Sequence, residues 1–328
     1  MTSPKPEIVA IGDAIVDVIA TCDERFLEER GLQKGSMRLL TPDEADRLYA
    51  DMGPTRETSG GSAANTMAGV AALGGSAAFI GQIAADQLGT IFAHDMTTLG
   101  VRFDTPPISE GPPTGRCLIL VTPDAQRTMN TCPGASHELS AAALDERLIG
   151  GASVLLLEGY LWGPERPRAT MLQGIDIARQ SGCKVAFTLS ESICIAGRRD
   201  GFLNMIEQGS IDILFANEDE ALQLTARADL DGALDELSAK VPTLVVTRGA
   251  AGAVGVEQGA RTAVPAVQVE RVVDTTGAGD LFAAGFLTAR CRGQSIERCL
   301  GAGARAAAEV ITHFGARPGA DLSKLVDQ

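Results

Sequence analysis

The sequence is poor in aromatic residues, in histidine and in positive charge. Aromatic residues make up 4% of the 328 residues, and the three histidines (His94, His137 and His313) lie far apart. A zinc site or a histidine-based catalytic triad therefore has little raw material. The 28 Lys and Arg residues against 42 Asp and Glu residues leave a net charge of −14. Because such a chain gains no affinity from neutralising phosphate backbones or anionic lipids, we expect no nucleic-acid partner and no membrane partner.

Signals for export and for membrane insertion are also missing. No run approaches the ~18 apolar residues that a membrane span requires. The first residues, MTSPKPEIVAIGD, lack the basic and then apolar pattern of a signal peptide. The seven cysteines are odd in number and show no CxxC spacing, which favours reduced thiols. We therefore expect a cytoplasmic protein.

Short apolar runs alternate with alanine-rich stretches along most of the chain. This alternation predicts βαβ units and an α/β fold in which helices flank a central, mostly parallel sheet. The length allows one large domain with an accessory element. The predicted strands are residues 8–11, 77–80, 154–157, 184–189, 211–215 and 243–247.

Two segments break this alternation, because they contain short strand-like pieces with no long helix between them. They are residues 15–40 and 113–131, and a proline-rich connector precedes the second. We predict that they form a small, discontinuous β lid. The α/β core is then residues 1–14, 41–112 and 132–328.

The strongest chemical motif is Asp274-Thr275-Thr276-Gly277-Ala278-Gly279-Asp280, which leads from a β-branched run into an alanine-rich helix. Unpaired N–H groups at such a helix start can hold an anion. Asp280, in the first turn, can act as general base towards a hydroxyl that attacks a phosphoryl group. The alternative is a capping loop whose aspartate only offsets the helix dipole. A dinucleotide-binding GxGxxG motif is not met, because its third glycine position is Phe282.

Two weaker motifs lie nearer the N-terminus. In Gly60-Gly61-Ser62-Ala63-Ala64-Asn65, the glycines allow a hinge and close approach of a ligand, and Asn65 can bind hydroxyls, although a flexible turn explains the same residues. Asp13 and Asp17 flank the end of the first strand, where the ligand crevice of an open α/β sheet lies. Either acid is otherwise a solvated loop residue.

A fourth motif, Asn217-Glu218-Asp219-Glu220, directly follows a predicted strand. Its oxygen ligands suit hydrated Mg²⁺. Acids that open a helix can also merely complement its dipole.

Taken in order, these segments resemble the ribokinase-like carbohydrate and purine kinase family, also called the PfkB family. The resemblance covers residues 7–319. Besides the Gly60 and Asp274 motifs, it rests on Asn217-x-x-Glu220 and on Val246-Thr247-Arg248-Gly249-Ala250-Ala251-Gly252. It implies a ribokinase-like fold with a small β lid and the transfer of the ATP γ-phosphoryl group to a hydroxymethyl oxygen.

The resemblance also implies roles for individual residues. Asp280 is the catalytic base, and Glu220 anchors Mg²⁺ through water. Whether a monovalent cation (K⁺) is required stays open, as does the choice between a monomer and a homodimer. The implied anion hole is Gly277, Ala278 and Gly279, and the implied nucleotide site is Asn217, Thr247, Gly249 and Gly252.

Within the family, the chain looks most like adenosine kinases. Asp17 then binds the ribose 2′ and 3′ hydroxyls, Gly61 and Asn65 help to hold the sugar, and Arg127 approaches the transferring phosphate. Asp13, also expected to bind substrate, stands where adenosine kinases carry asparagine. Where they place an aromatic residue that stacks on the base, this chain has Ile193, and Tyr160 or Trp162 is the candidate replacement.

The sequence therefore predicts an ATP- and Mg²⁺-dependent kinase that phosphorylates a primary hydroxyl of a small ribose-containing acceptor, with adenosine, converted to AMP, as the preferred substrate. The alternatives are a ribokinase or another sugar kinase of the same family. From different classes, a non-catalytic nucleotide- or sugar-binding regulator and an NAD-dependent dehydrogenase stay open.

Overall fold

The structure is a computed structural model and describes residues 5–124 and 126–324. Within these ranges the β-strands are β1 (Ile8–Ile11), β2 (Ile15–Thr21), β3 (Met37–Leu39), β4 (Arg56–Gly60), β5 (Ala77–Ile80), β6 (Val101–Phe103), β7 (Gly115–Val121), β8 (Arg127–Cys132), β9 (Val154–Glu158), β10 (Lys184–Thr188), β11 (Ile213–Asn217), β12 (Thr243–Thr247), β13 (Ala253–Glu257) and β14 (Ala260–Val264). The α-helices are α1 (Glu24–Glu29), α2 (Pro42–Asp51), α3 (Ser62–Ala72), α4 (Gln87–Thr98), α5 (Glu146–Gly151), α6 (Glu165–Ser181), α7 (Ser192–Ile195), α8 (Arg199–Glu207), α9 (Glu218–Thr225), α10 (Leu230–Ser238), α11 (Ala278–Cys291) and α12 (Ile296–Val310).

The larger sheet has the strand order β14-β13-β12-β11-β10-β9-β1-β5-β6. Its pairings are parallel except for β12 with β13 and β13 with β14. The strand order reverses around β1, which pairs with β5 on one side and with β9 on the other. In open α/β sheets ligands bind beyond the carboxyl ends of the strands at such a reversal, and Asp13 lies at this point.

Both faces of the larger sheet are covered around its centre, which explains why strands such as β1 and β5 are apolar and buried throughout. Alternate residues of β1 belong to different halves of the core. Ile8 and Ala10 belong to the apolar cluster that includes residues of α3, α11 and α12, whereas Val9 and Ile11 belong to the cluster that includes residues of α6 and α10. The predicted layered architecture of sheet and flanking helices is therefore present.

The smaller sheet has the order β3-β8-β7-β2-β4. One face, with Val16 and Val18, packs into the core, and the other face carries a separate apolar cluster of Ile15, Cys117 and Ile119. Four of its strands come from residues 15–40 and 113–132. The fifth, β4, lies in a segment that the sequence assigned to the core. It belongs to the small sheet because it pairs antiparallel with β2, from Ile15 opposite Gly60 onwards.

Strand positions agree closely with the sequence pattern. The clearest difference is β11, which begins at Ile213 and not at residue 211. The Asp212 side chain accepts hydrogen bonds from the Val185 N–H and the Lys184 ammonium group, and Ile211 and Asp212 precede the strand. The seven cysteines are free thiols. In the described part of the chain no helix is both long and apolar enough to cross a membrane.

Candidate active site

A cavity of about 660 Å³ lies between the carboxyl edge of the larger sheet and the face of the smaller sheet that carries Ile15, Cys117 and Ile119. The larger sheet contributes polar residues that follow its strands, and the smaller sheet contributes mainly apolar side chains. Of the predicted site residues, all but Arg127, Gly249 and Gly252 line this cavity. Those that do are Asp13, Asp17, Gly61, Asn65, Asn217, Glu220, Thr247, Gly277, Ala278, Gly279 and Asp280.

The predicted anion hole is the start of α11. Gly277, its N-cap, is left-handed with φ 77°, and a Cβ atom there would lie 2.6 Å from the Ala316 side chain. No side chain caps this helix. The N–H groups of its first turn are therefore not occupied by a capping side chain, and they face a cavity where the helix dipole favours a negative charge.

Asp280, in the first turn of α11, is held by the start of α3. Ser62 Oγ donates to Asp280 Oδ1 (2.6 Å) and Asn65 Nδ2 donates to Oδ2 (2.9 Å). Burial raises the pKa of Asp280, while these two hydrogen bonds and the charge of Arg317 oppose that rise. The Gly60 motif and the Asp274 motif thus meet at one carboxylate beside the anion hole.

Asp17, on β2, points into the cavity from the smaller sheet. A Cβ atom at residue 60 would lie 2.6 Å from all three carboxyl atoms of Asp17, so the carboxylate fits only against glycine. The pKa of Asp17 is raised to about 6, mainly because the carboxyl group is buried. The charges of Arg317 and Arg127 oppose this rise, and the charge of Asp280 adds to it. No side chain or backbone group in the described ranges donates a hydrogen bond to this carboxylate, which leaves it free for a ligand.

Asp13 directly follows β1 and lies beside a second buried acid, Glu158, at the end of β9. Glu158 accepts hydrogen bonds from the backbone N–H groups of Asp13 (2.6 Å) and Ala63 (2.7 Å). Burial raises the pKa of both acids, and the charge of Asp13 raises that of Glu158 further. Asp13 Oδ1 and Asn65 Oδ1 are buried with no hydrogen-bond partner, although both residues line the cavity. Buried polar atoms normally have partners, so these two oxygens suit donors on a ligand.

Asn217 and Glu220 form a capping box at the start of α9. Glu220 accepts from the Asn217 N–H and from Asn217 Nδ2, both at 2.9 Å, while Asn217 Oδ1 accepts from the Glu220 N–H (2.8 Å). The two residues therefore cap the start of α9, and both also line the cavity. Burial raises the pKa of Glu220 to about 7.

Gly249 and Gly252 do not reach the cavity and instead shape the loop after β12. Gly252 has φ 86° and ψ −134°, and a Cβ atom there would lie 2.0 Å from the Val264 carbonyl oxygen. Thr247, at the end of β12, is the residue of this motif that lines the cavity. The glycines thus set the path of the chain beside the cavity.

Arg127 lies on β8, and its almost fully buried side chain points towards the loop that precedes α11. Its guanidinium pairs with Asp274 Oδ2 (3.0 Å) and donates to Thr276 Oγ1 (2.9 Å). Burial raises the pKa of Asp274, but hydrogen bonds from Gly315 and Thr276 and the charge of Arg127 bring it below its usual value. Arg127 therefore ties the smaller sheet to the loop that precedes α11.

The two candidate stacking residues have different positions. Trp162 is buried in the core, where it stacks on Phe202 at 5.6 Å and meets the Phe187 edge at 6.0 Å, so it cannot stack on a ligand. Tyr160 lines the cavity and donates a hydrogen bond to Glu191 (3.1 Å). Ile193, which is 48% exposed, also lines it.

Among the residues that hold or surround the predicted acids, Ser62, Glu158 and Arg317 were not predicted from the sequence. Glu158 had a usable signal, since an acid that ends a buried strand in Val154-Leu155-Leu156-Leu157-Glu158 follows the same rule that selected Asp13. Ser62 lies within a recognised motif, but its contact with Asp280 joins residues 218 positions apart. Arg317 stands between small residues, and no feature of the local sequence indicates its partners.

This fold and this site define the class of protein, a ribokinase-like α/β protein with a glycine-rich helix start beside buried carboxylates. The chain belongs to the pfkB family of carbohydrate kinases, whose sequence profile matches residues 5–322. The predicted family and fold are thereby confirmed.

Individual relatives carry different substrate names. The structure of adenosine kinase from Sinorhizobium meliloti is 45% identical, covers 99% of both chains and has a TM-score of 0.92. A probable sugar kinase from Rhizobium etli is 43% identical, covers 98% of both chains and also has a TM-score of 0.92. Guanosine-inosine kinase of Escherichia coli K12 is 29% identical over 257 residues, which are 75% of this chain and 58% of that protein. The chain thus spans little more than half the length of this relative.

Proposed function

We propose that the protein is an ATP- and Mg²⁺-dependent kinase that phosphorylates the primary hydroxyl of a nucleoside, with adenosine converted to AMP. The observation that carries this proposal is the position of Asp280, whose carboxylate lies in one cavity with both the helix start at Gly277 and the free carboxylate of Asp17. An anion site, a proton acceptor and a hydroxyl-binding acid are the three parts that phosphoryl transfer to an alcohol needs.

In the proposed reaction the acceptor hydroxyl oxygen attacks the γ-phosphorus of ATP. The new O–P bond forms as the bond from that phosphorus to the β,γ-bridging oxygen breaks, ADP leaves, and Asp280 takes the hydroxyl proton. Ser62 and Asn65 fix the carboxylate, and the N–H groups of residues 277–279 receive the negative charge of the transferring group. Positioning and charge stabilisation supply most of the catalysis in such transfers.

The oxygen atoms of Asn217 and Glu220, which line the cavity, are of the kind that a hydrated magnesium ion accepts. Mg²⁺ on nucleotide phosphates keeps several waters and needs few protein ligands. Glu220, with both oxygens already bonded to Asn217, would hold one of those waters. When bound, Mg²⁺ neutralises charge on the phosphates.

An apolar surface on the smaller sheet supports a nucleoside over a free sugar. Leu39 is 62% exposed, lines the cavity with Met37, Ile119 and Met129, and shares it with Ile193 of α7. A free sugar offers these side chains little apolar surface, whereas a purine base buries them. The relatives named adenosine kinase and guanosine-inosine kinase support the same acceptor class.

A sugar kinase is the second candidate, because Asp13, Asp17 and Asn65 would bind the hydroxyls of either acceptor. A screen decides between them: ADP release is measured with adenosine, 2′-deoxyadenosine, guanosine, inosine, ribose and fructose. We expect the highest kcat/KM with adenosine and a loss with 2′-deoxyadenosine. A higher kcat/KM for ribose or fructose would overturn the nucleoside assignment, and ADP release with none of the acceptors would indicate a non-catalytic binding protein.

A further inference from the structure

Arg317 does not line the cavity, and its side chain binds the segment that contains the Gly60-Gly61 pair. Its guanidinium donates to the Ser59 carbonyl oxygen (2.9 and 3.2 Å), to Ser59 Oγ (3.0 Å) and to the Ala64 carbonyl oxygen (2.7 Å). One side chain thus fixes both ends of residues 59–64. Between these ends lie Gly60, the last residue of β4, against which Asp17 rests, and Ser62, the first residue of α3, which holds Asp280.

Loss of hydration lowers the pKa of Arg317 to about 10, while the charges of Asp17, Asp280 and Asp95 each raise it, so the group is a cation at neutral pH. Asp95 Oδ2 accepts from the Ser59 N–H (2.9 Å), which places that acid on the same strand end. The charge of Arg317 therefore interacts with three carboxylates.

Both cavity acids, Asp17 and Asp280, lie among several charged and titratable groups. Asp17 faces Arg317, Arg127, Asp280 and the Cys117 thiol on the neighbouring strand. Asp280 faces Arg317, Asp17, Glu158 and Tyr160. Arg317 is the cation common to both acids, and Arg127 reaches only Asp17 and is already paired with Asp274.

We propose that Arg317 is a positioning residue: it holds residues 59–64 so that Asp17 and Asp280 face the same acceptor molecule, and its charge balances both carboxylates. The inference rests on the proposed function, since it assigns these acids to hydroxyl binding and proton transfer. Arg317 does not line the cavity and acts through the two acids and through residues 59–64, not on the substrate.

A second arginine provides a matched control. Arg199 also binds two backbone carbonyls, those of Leu224 (2.7 Å) and Thr225 (3.1 Å), and its ion pair in the described structure is with the fully exposed Asp200 at 3.9 Å. Arg199→Met therefore removes the same kind of backbone contact without removing a charge from the cavity acids. It measures what loss of carbonyl binding alone does.

The experiment compares Arg317→Met, Arg317→Gln and Arg317→Lys with Arg199→Met and the parent. For each protein, kcat and kcat/KM for the acceptor are measured from pH 5 to 9, together with thermal unfolding. For the two neutral Arg317 variants we expect the acid limb of kcat/KM to move up by about one pH unit, because removal of a nearby cation favours the protonated carboxyl. At pH 7 kcat/KM should fall at least about tenfold.

Arg317→Lys keeps the charge and loses the forked bonds, so its acid limb should stay within about 0.3 pH unit of the parent while its melting temperature falls. Arg199→Met should lose stability with an unchanged pH profile. If the neutral Arg317 variants lose stability but keep the parent's acid limb, Arg317 is a structural residue and the inference is overturned.

A parent that phosphorylates no acceptor would overturn the proposed function, and the charge on Arg317 is then tested by unfolding alone. A carboxyl group whose pKa is higher in the folded than in the unfolded protein lowers the stability of the protein as pH rises between these two pKa values. Without Arg317 this loss grows, so Arg317→Met should destabilise the protein more at pH 8 than at pH 5, whereas Arg199→Met should act equally at both. Equal losses for Arg317→Met at both pH values would contradict the inference.

Discussion

The two halves of the cavity are built from different materials. The half that we assign to the acceptor consists of charged side chains from distant parts of the chain, Asp13, Asp17 and Asp280, supported by Glu158 and Arg317. The half that we assign to the nucleotide consists of Thr247 and of backbone at the start of α11, where Gly277 has φ 77°. Beside it lies the loop after β12, in which Gly249 and Gly252 have φ 53° and 86°. Side-chain charges select an acceptor by its hydroxyl groups, while backbone amides bind any phosphate chain of the right shape.

The two halves also differ in the free energy that burial costs. Ionised groups lose hydration when they are buried, and in the acceptor half hydrogen bonds and the charge of Arg317 offset part of this loss. The backbone half carries little such cost, but it depends on conformations that only glycine adopts easily. Substitutions in the acceptor half should therefore change catalysis and acceptor binding, and substitutions in the nucleotide half should change ATP binding and folding.

The largest effect is expected for Asp280→Asn, which keeps the size of the side chain and removes the proton acceptor. General bases contribute about 10²–10⁴ to rate, so single-turnover phosphorylation should slow by this factor. ATP affinity should persist or rise, because one negative charge near the phosphates is lost. Nucleotide binding and thermal unfolding are measured alongside.

As a dipole-compensating acid, Asp280 would contribute only about 0.3 to 1 kcal/mol to stability and little to turnover. An Asp280→Asn protein that turns over within about threefold of the parent would therefore remove the base assignment.

Asp17→Asn should give the next largest effect and should act on the acceptor alone. Hydrogen bonds to a charged group contribute about 1.5 to 3 kcal/mol each, so kcat/KM for the acceptor should fall about 10- to 100-fold while KM for ATP is unchanged. With a pKa of about 6, Asp17 is also expected to give the parent an acid limb in kcat/KM. Equal losses for both substrates would mean that Asp17 acts through folding.

On the nucleotide side, Gly252→Ala should raise KM for ATP by about tenfold and leave KM for the acceptor within about twofold. The added Cβ atom would lie 2.0 Å from the Val264 carbonyl oxygen, and strained backbone of this kind costs about 1–3 kcal/mol. Gly259→Ala is the control, since it also has positive φ (79°) but no atom near the new Cβ. A Gly252→Ala enzyme with the parent's KM for ATP would separate this loop from the nucleotide.

The same contrast explains how much could be predicted from the sequence. Strands such as β1 and β12 are recognisable because residues buried on both faces are continuously apolar. The helix start at Gly277 is also local, since its glycines, hydroxyl residues and acid are consecutive. Strand β4 was not assigned to the small sheet because Arg56-Glu57-Thr58-Ser59-Gly60 has no apolar alternation and forms a strand only through pairing with β2.

The acceptor half was predicted only where a residue carries its own signal. Asp13 and Asp17 follow or lie near a strand end, but the contacts that fix their surroundings come from far along the chain. Arg317 reaches back 258 positions to Ser59, and Glu158 reaches back 145 positions to Asp13. A single sequence holds no trace of such pairs, and the structure is needed to find them.

The smallest effect is expected for Asp13→Asn, although Asp13 lies beside the other acids and is more buried than Asp17. Burial raises its pKa, and its Oδ1 atom is buried without a hydrogen-bond partner. Because an asparagine amide offers both an acceptor oxygen and a donor in the same space, Asp13→Asn should keep kcat/KM for the acceptor within about threefold at pH 7. Asp13→Leu, which offers neither, is the comparison and should lose at least about tenfold. A large loss in Asp13→Asn as well would mean that an ionised Asp13 is required, and the acceptor half would then rely on one more negative charge.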